Sequence, residues 1–245
     1  MATLRARKRT PDEARATLEI LAQRHPGAHC ELDHANAFQL LVATVLSAQT
    51  TDVAVNKLTP GLFSAYPSAQ TLARADTKKV EGLIDRIGMF RQKSKNIVGL
   101  AKALVETHGG QVPRTMAELV KLPGVGRKTA NVVLGVIWGA PDGVVVDTHV
   151  QRLSQRLGWT KKTEPVEIEL ELNKLLPRAD WYRASHILIF HGRRVCDAER
   201  PNCDECPLAK VDEGVRCPSA FAATTIGRKP KPKKPRPRRV GHPAD

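Results

Sequence analysis

The chain has 245 residues, 41% of them hydrophobic, enough to bury one large core or two smaller ones. It contains no run of about 20 apolar residues, which excludes a membrane-spanning helix, and no apolar stretch of the secretory-signal kind follows its basic start. The net charge is +14, and twelve of those charges come from two acid-free ends: Arg5, Arg7, Lys8 and Arg9, and the eight Lys and Arg residues of 228–239.

The elements read as helices in chain order. Pro11-Asp12-Glu13 opens the first, with proline and acids in the turn where the helix dipole favours them. Phe38, Leu41, Val42, Val45 and Leu46 repeat at helical spacing and mark a buried helix. Another begins at Asp52, a short one runs from Leu83 to Ile87, and Lys93 to His108 forms a long one stopped by Gly109-Gly110. Thr115 and Glu118 form a capping box. Helices then run over 128–138, 147–157, 165–176 and 181–191. Val144-Val145-Val146 reads as an extended connector, not a strand, so the fold class is all-α with at least nine helices. Residues 1–10 and 221–245 are expected to be basic and disordered. Such ends suit a polyanion, of which nucleic acid is the commonest, or simply keep the chain soluble.

Leu122-Pro123-Gly124-Val125-Gly126-Arg127-Lys128-Thr129-Ala130 lies between two helical patterns. Two glycines one residue apart permit a sharp turn with positive backbone torsions and a close approach to a phosphate. The helix that follows offers free N–H groups and the positive end of its dipole to an anion. This is a helix–hairpin–helix that grips a nucleic-acid backbone without reading sequence. Lys128 falls in the first helical turn, where a cation stands at the wrong end of the dipole. An unprotonated lysine amine is a nucleophile able to form a Schiff base. Read without a family, a phosphate contact is the stronger account of Lys128. Asp147, nineteen residues on in Val146-Asp147-Thr148-His149, fits an N-cap, a carboxylate that assists a nucleophile, or both.

Four of the five cysteines, Cys196, Cys203, Cys206 and Cys217, crowd into 22 residues. Without a secretion signal this points to metal and not to disulfides. Zn²⁺ and [4Fe–4S] both suit four thiolates, and general spacing rules do not choose between them. Arg193, Arg194, Arg200 and Arg216 surround the group, either to meet phosphates or to offset thiolate charge. Cys30 reads as a core residue.

Three segments together, Leu122 to Asn131, Val146 to His149 and Leu46-Ser-Ala-Gln-Thr-Thr-Asp52, resemble the bacterial endonuclease III family of helix–hairpin–helix DNA glycosylases. The resemblance runs from about Pro11 to Ser219. It implies a six-helix barrel domain at about 30–140, and a second domain, from 11–29 and 141–220, holding a [4Fe–4S] cluster on the four cysteines. It implies a bacterial, cytoplasmic, monomeric enzyme acting on double-stranded DNA with oxidised pyrimidines or abasic sites. Lys128 would attack C1′ with Asp147 assisting, the base would leave, and β-elimination would cut the strand. Gln49 would fill the gap left by the flipped nucleotide, and Met89 would wedge the stack. Gly124, Val125, Gly126, Arg127, His149, Arg193 and Arg194 complete the expected DNA-facing set.

Two features depart from the family pattern. Ten residues separate Cys206 from Cys217 where five are usual, and the wedge is methionine in place of leucine. An adenine glycosylase of the same superfamily is disfavoured, because Ala43-Thr44-Val45-Leu46 holds no acid where that family has its glutamate. A non-enzymatic DNA-binding module has no need of both Lys128 and Asp147, and an iron–sulfur electron carrier explains neither hairpin nor basic ends.

Overall fold

A computed structural model describes residues 8–212 and 214–220. The expected C-terminal basic tail and residues 1–7 lie outside them. Among the described residues there are eleven α-helices and no strand.

Two apolar cores organise the chain. The first gathers residues between Leu32 and Leu134. At its centre stands α2 (Ala37–Leu46), buried at eight of its ten positions and started by the Asn36 side chain, which accepts from the Gln39 N–H. A helix apolar all round belongs inside a core. Around it lie α3 (Asp52–Ala65), α4 (Ala69–Ala73), α5 (Thr77–Ile84), α6 (Phe90–His108), α7 (Met116–Leu119) and α8 (Arg127–Trp138). The long α6 packs against α2, α4 and α5, and α8 packs against α2 and α7.

The second core joins α1 (Pro11–Arg24) to α9 (Thr148–Arg156), α10 (Pro165–Leu175) and α11 (Trp181–Arg194). Trp159, fully buried, is its largest side chain. The chain thus leaves the second core after α1, builds the first, and returns along 140–147.

Three expectations needed correction. The helix expected at Leu83–Ile87 is α5, six residues earlier in its start, because the Asp76 side chain caps the Lys78 N–H there. The five-residue α4, capped by Ser68, had no periodicity to announce it. Arg9 is not part of a disordered basic end. It is 9% exposed, and its guanidinium donates to the carbonyls of Gly214 and Arg216. Order therefore extends to at least Lys8, whose Nζ lies 3.3 Å from Glu171 Oε1.

Candidate active site and cysteine-lined cavity

The hairpin is built from buried hinges and exposed contacts. Leu122 and Val125 are 4% and 6% exposed and anchor it to the first core. The Val125 N–H donates to the Leu122 carbonyl at 3.1 Å. The positive torsion falls on Gly124 alone, with φ +76°. A Cβ there would also stand 3.0 Å from Asn96 of α6. Gly126 is different: its φ of −93° suits any residue, and a Cβ on it would meet nothing within 4 Å. The fold itself makes no demand for glycine there, so bare backbone at that spot serves whatever approaches from outside. Gly126 is also the N-cap of α8, and no side chain caps that end. The first N–H groups of α8 are left to an outside acceptor, as an anion site requires. Lys128 is exposed at the second position of this helix.

Arg127 is committed elsewhere. Its Nε and Nη2 form a fork on Glu169 of α10, at 3.1 and 2.8 Å to Oε1, and Nη2 also lies 3.1 Å from Asp142. These carboxylates hold its guanidinium charge firmly and raise its already high pKa. The residue beside Lys128 therefore clamps the hairpin helix to the second core. Nearby, the Asn131 side chain accepts from the Asp142 N–H at 2.8 Å, fixing the return of the chain.

That return leads through buried Val144 and Val145 to Asp147. Asp147 is the N-cap of α9. Its Oδ1 accepts from both the His149 and Val150 N–H groups at 2.8 Å. Both bonds use one oxygen, so the cap fixes the carboxylate's orientation and leaves Oδ2 outside the cap. His149 is half-buried, with Nδ1 3.1 Å from Arg152 Nη2. Burial lowers its pKa, and the nearby Asp147 charge opposes that shift. His186 on α11 is buried deeper. Desolvation pushes its pKa down to about 4, so it stays neutral near Asp147 at physiological pH.

Gln49 and Met89 share an unusual backbone. They are the two non-glycine residues with positive φ among those described, at 54° and 56°. Each such conformation costs about 1–3 kcal/mol and persists only where its surroundings impose it. Both side chains are exposed, Met89 at 52%. One follows α2 and the other is the N-cap of α6.

The arginines expected around the cysteines divide differently. Arg193 bonds Glu31 and, at 2.8 Å, Asp52, while Arg194 bonds Glu31 at 2.7 Å. These ion pairs tie α11 to the segment before α2 and to the start of α3. They hold the two cores together and are not directed at the cysteines. Besides Arg9, two arginines that reach the cysteine loop were missed in the sequence, and both lie on α9. Arg152 Nη2 donates to the carbonyls of Gly192 and Cys196 at 3.0 Å. Arg156 donates to the carbonyls of Asp197 and Ala198 at 2.6 and 2.7 Å, and its Nη1 lies 3.1 Å from Cys196 Sγ. Their i, i+4 spacing on one face of α9 was the available signal.

All four clustered cysteines line one cavity of about 50 Å³, otherwise walled by groups such as Leu153, Leu157, Val195 and Leu208. Burial, followed by the neighbouring Cys196 sulfur, raises the pKa of Cys203. Burial likewise raises Cys217 and pushes Cys206 up to about 11. Such thiols ionise only if a positive centre takes the charge. The five extra residues before Cys217 do not displace it. The Asp212 carbonyl accepts from Val215 and Arg216 and closes the bulge, and the Cys217 N–H donates to Leu208 at 3.0 Å. Among the described residues no group of three or more His, Cys, Asp or Glu forms a single-ion site. Cys30 stands apart as a free, half-buried thiol.

Comparison with known proteins agrees with this geometry. The HhH-GPD superfamily base excision DNA repair protein model matches residues 42–178. Endonuclease III of Synechocystis sp. is 53% identical over 219 residues, covering 89% of this chain and 98% of that protein. Endonuclease III of Escherichia coli K12 is 42% identical over 202 residues, covering 80% and 94%. A solved non-covalent endonuclease III–DNA complex is similar with a TM-score of 0.81 at 41% identity, over 88% of this chain and 99% of that one. A trapped endonuclease III–DNA covalent intermediate gives 0.81 at 42% identity. The architecture is accordingly the two-domain one of a six-helix barrel and an iron–sulfur-type domain, and the chain belongs to the endonuclease III family within the HhH-GPD superfamily of base excision DNA repair proteins.

Proposed function

We propose that this chain is a bifunctional DNA glycosylase and abasic-site lyase that acts on oxidised pyrimidines in duplex DNA through Lys128 and Asp147. The observation that carries it is an exposed lysine at an uncapped helix start behind a glycine hairpin, in a chain that also holds the Asp147 carboxylate in a fixed cap at the start of α9. In the reaction the Lys128 amine attacks C1′ of the flipped nucleotide. The N-glycosidic bond breaks and its electron pair leaves with the base, which takes up a proton. Asp147, through Oδ2, stabilises positive charge building on the sugar. Ring opening gives a Schiff base between Lys128 Nζ and C1′. Loss of a C2′ proton then expels the 3′ phosphate and cuts the strand. The N–H groups at the start of α8 and the bare backbone of Gly124, Val125 and Gly126 receive the DNA backbone, and His149 is assigned as a further DNA contact. Gln49 and Met89 enter the stack as the nucleotide leaves it.

Arg127, Arg193 and Arg194 are assigned mainly to holding the cleft, since each is bonded to carboxylates. The barrel domain spans about 30–140 and the second domain 11–29 and 141–220. A bacterial cytoplasmic setting and a monomer fit these roles, and no helix is long and apolar enough to cross a membrane among the described residues.

The four cysteines fit a [4Fe–4S] cluster better than zinc. A single tetrahedral ion needs its sulfurs about 2.3 Å from one point, whereas a [4Fe–4S] cluster takes four thiolates around a larger space, and these four thiols line one cavity. Cys196, Cys203, Cys206 and Cys217 would hold the cluster, which supplies a cross-link for the loop and a positive centre that ionises the thiols. Arg156 and His191, at 3.1 and 3.4 Å from Cys196 and Cys206 sulfurs, are placed to bond them.

Borohydride trapping on abasic duplex DNA tests the central claim. The native protein gives a covalent adduct, and Lys128→Ala abolishes it while retaining DNA binding. An adduct that survives Lys128→Ala overturns the assignment.

A further inference from the structure

Two loops from different helices carry the positive-φ residues Gln49 and Met89, forty positions apart in the chain. One side chain connects them. Lys93 lies one turn into α6, and its backbone N–H donates to the Met89 carbonyl at 3.0 Å. Its side chain leaves the other way, and Nζ donates to Thr50 Oγ1, adjacent to Gln49, at 2.7 Å. The residue is 3% exposed. It occupies the apolar stripe of α6 formed with Ile97, Leu100, Ala101 and Leu104. Desolvation lowers its pKa, with no carboxylate acting against that shift.

A lysine is a costly choice for this position. A buried ammonium satisfied mainly by one hydroxyl destabilises a core that methionine would fill at similar length. It also stands at the positive end of the α6 dipole. Costs of this kind are retained where a function requires them. The bond it makes joins the turn that presents Met89 to the loop that presents Gln49.

We propose that Lys93 is a positioning residue that ties the Gln49 loop to the Met89 turn, so that both side chains enter the DNA stack as one unit. This rests on the reading of Gln49 and Met89 as the inserted side chains. With the tie intact, the two loops share one geometry and the opened nucleotide is held from both sides. Without it, each loop samples its own positions, and a half-opened step closes again.

The test uses the full chain with Lys93→Met and Thr50→Val, alone and combined. The main readout is the ratio of borohydride trapping rates on duplex and single-stranded abasic DNA, since only the duplex needs opening. Fluorescence of 2-aminopurine opposite the abasic site reports the opening itself. Lys93→Met should lower the ratio at least about tenfold and reduce the fluorescence rise, with a thermal midpoint equal to or above the native value. Thr50→Val should act in the same direction, and the double variant should be no worse than Lys93→Met, as partners in one bond require. An unchanged ratio overturns the tie, as does a fallen midpoint with the ratio preserved. A salt slope of binding reduced by about one charge also overturns it, because Lys93 would then be a phosphate contact. Gln49→Ala and Met89→Ala separate the two levels. If both lower the ratio and Lys93→Met does not, the tie alone fails. If neither does, the insertion reading fails and the tie fails with it.

Discussion

The hairpin and the cysteine loop are both turn-rich segments that carry the chain's most reactive side chains, yet they are held in opposite ways. The hairpin is complete in itself. Leu122 and Val125 are buried, Gly124 absorbs the one positive torsion, and Lys128 faces solvent. Among its described residues the cysteine loop has a single three-residue 3₁₀ turn between Cys196 and Cys217, and its thiols line a shared cavity. Side chains from elsewhere, Arg9, Arg152 and Arg156, hold it by its carbonyls. One region holds its own shape; the other is a cavity lined by buried thiols and held by contacts from outside.

The largest expected effect sharpens that contrast. If the proposed [4Fe–4S] cluster occupies these thiols, Cys206→Ser should remove the broad visible absorbance that it gives and lower the thermal midpoint by roughly 10 °C, because metal binding free energy is folding free energy for such a loop. Lys128→Ala, at an exposed helix position, should shift the midpoint by no more than about 2 °C. Scanning calorimetry beside an absorbance spectrum decides it. A Cys206→Ser protein with the native midpoint would mean that the arginine contacts hold the loop unaided.

Asp147 belongs to both kinds of region, since α9 begins at this proposed catalytic carboxylate and ends on the cysteine loop through Arg152 and Arg156. Its two duties can be separated. Asparagine caps a helix as well as aspartate, whereas alanine does not. Asp147→Asn should therefore keep stability within about 0.5 kcal/mol and lower the trapping rate by about 10²–10⁴. Asp147→Ala should show the same kinetic loss plus about 1–2 kcal/mol of destabilisation in urea unfolding. Equal rates for native and Asp147→Asn would leave Asp147 a cap and nothing more.

The same division governs what could be read before the structure. The hairpin was legible because its logic is local: Pro, Gly and a basic helix start within nine residues. Asp147 as an N-cap and Pro11 at a helix start were legible for the same reason, and both sit where the pattern put them. Pairings across the chain were not legible. Nothing near Arg193 in sequence announces Asp52, 141 residues away, or Glu31, 162 residues away. A run of basic residues gave no hint that Arg9 would be buried against carbonyls beyond Cys206. Lys93 carried a faint signal, a charge on an apolar stripe, but its meaning depends on Thr50, which only the tertiary fold brings near.

Within the hairpin the two glycines make the contrast on the smallest scale. Gly124 serves the fold: φ is +76° and Asn96 crowds any Cβ. Gly124→Ala should cost about 1–3 kcal/mol in urea unfolding, the usual penalty for a non-glycine residue forced into that region. Gly126 has neither constraint. For Gly126→Ala two small terms oppose each other: alanine restricts the unfolded chain, which stabilises, and is the poorer N-cap, which destabilises. Stability should stay within about 1 kcal/mol of native. The added methyl would stand between the α8 N–H groups and a phosphate, so duplex affinity should fall about tenfold and the salt slope should drop by about one phosphate. Equal duplex affinity for Gly126→Ala and native protein would show that the phosphate is received at another part of the hairpin.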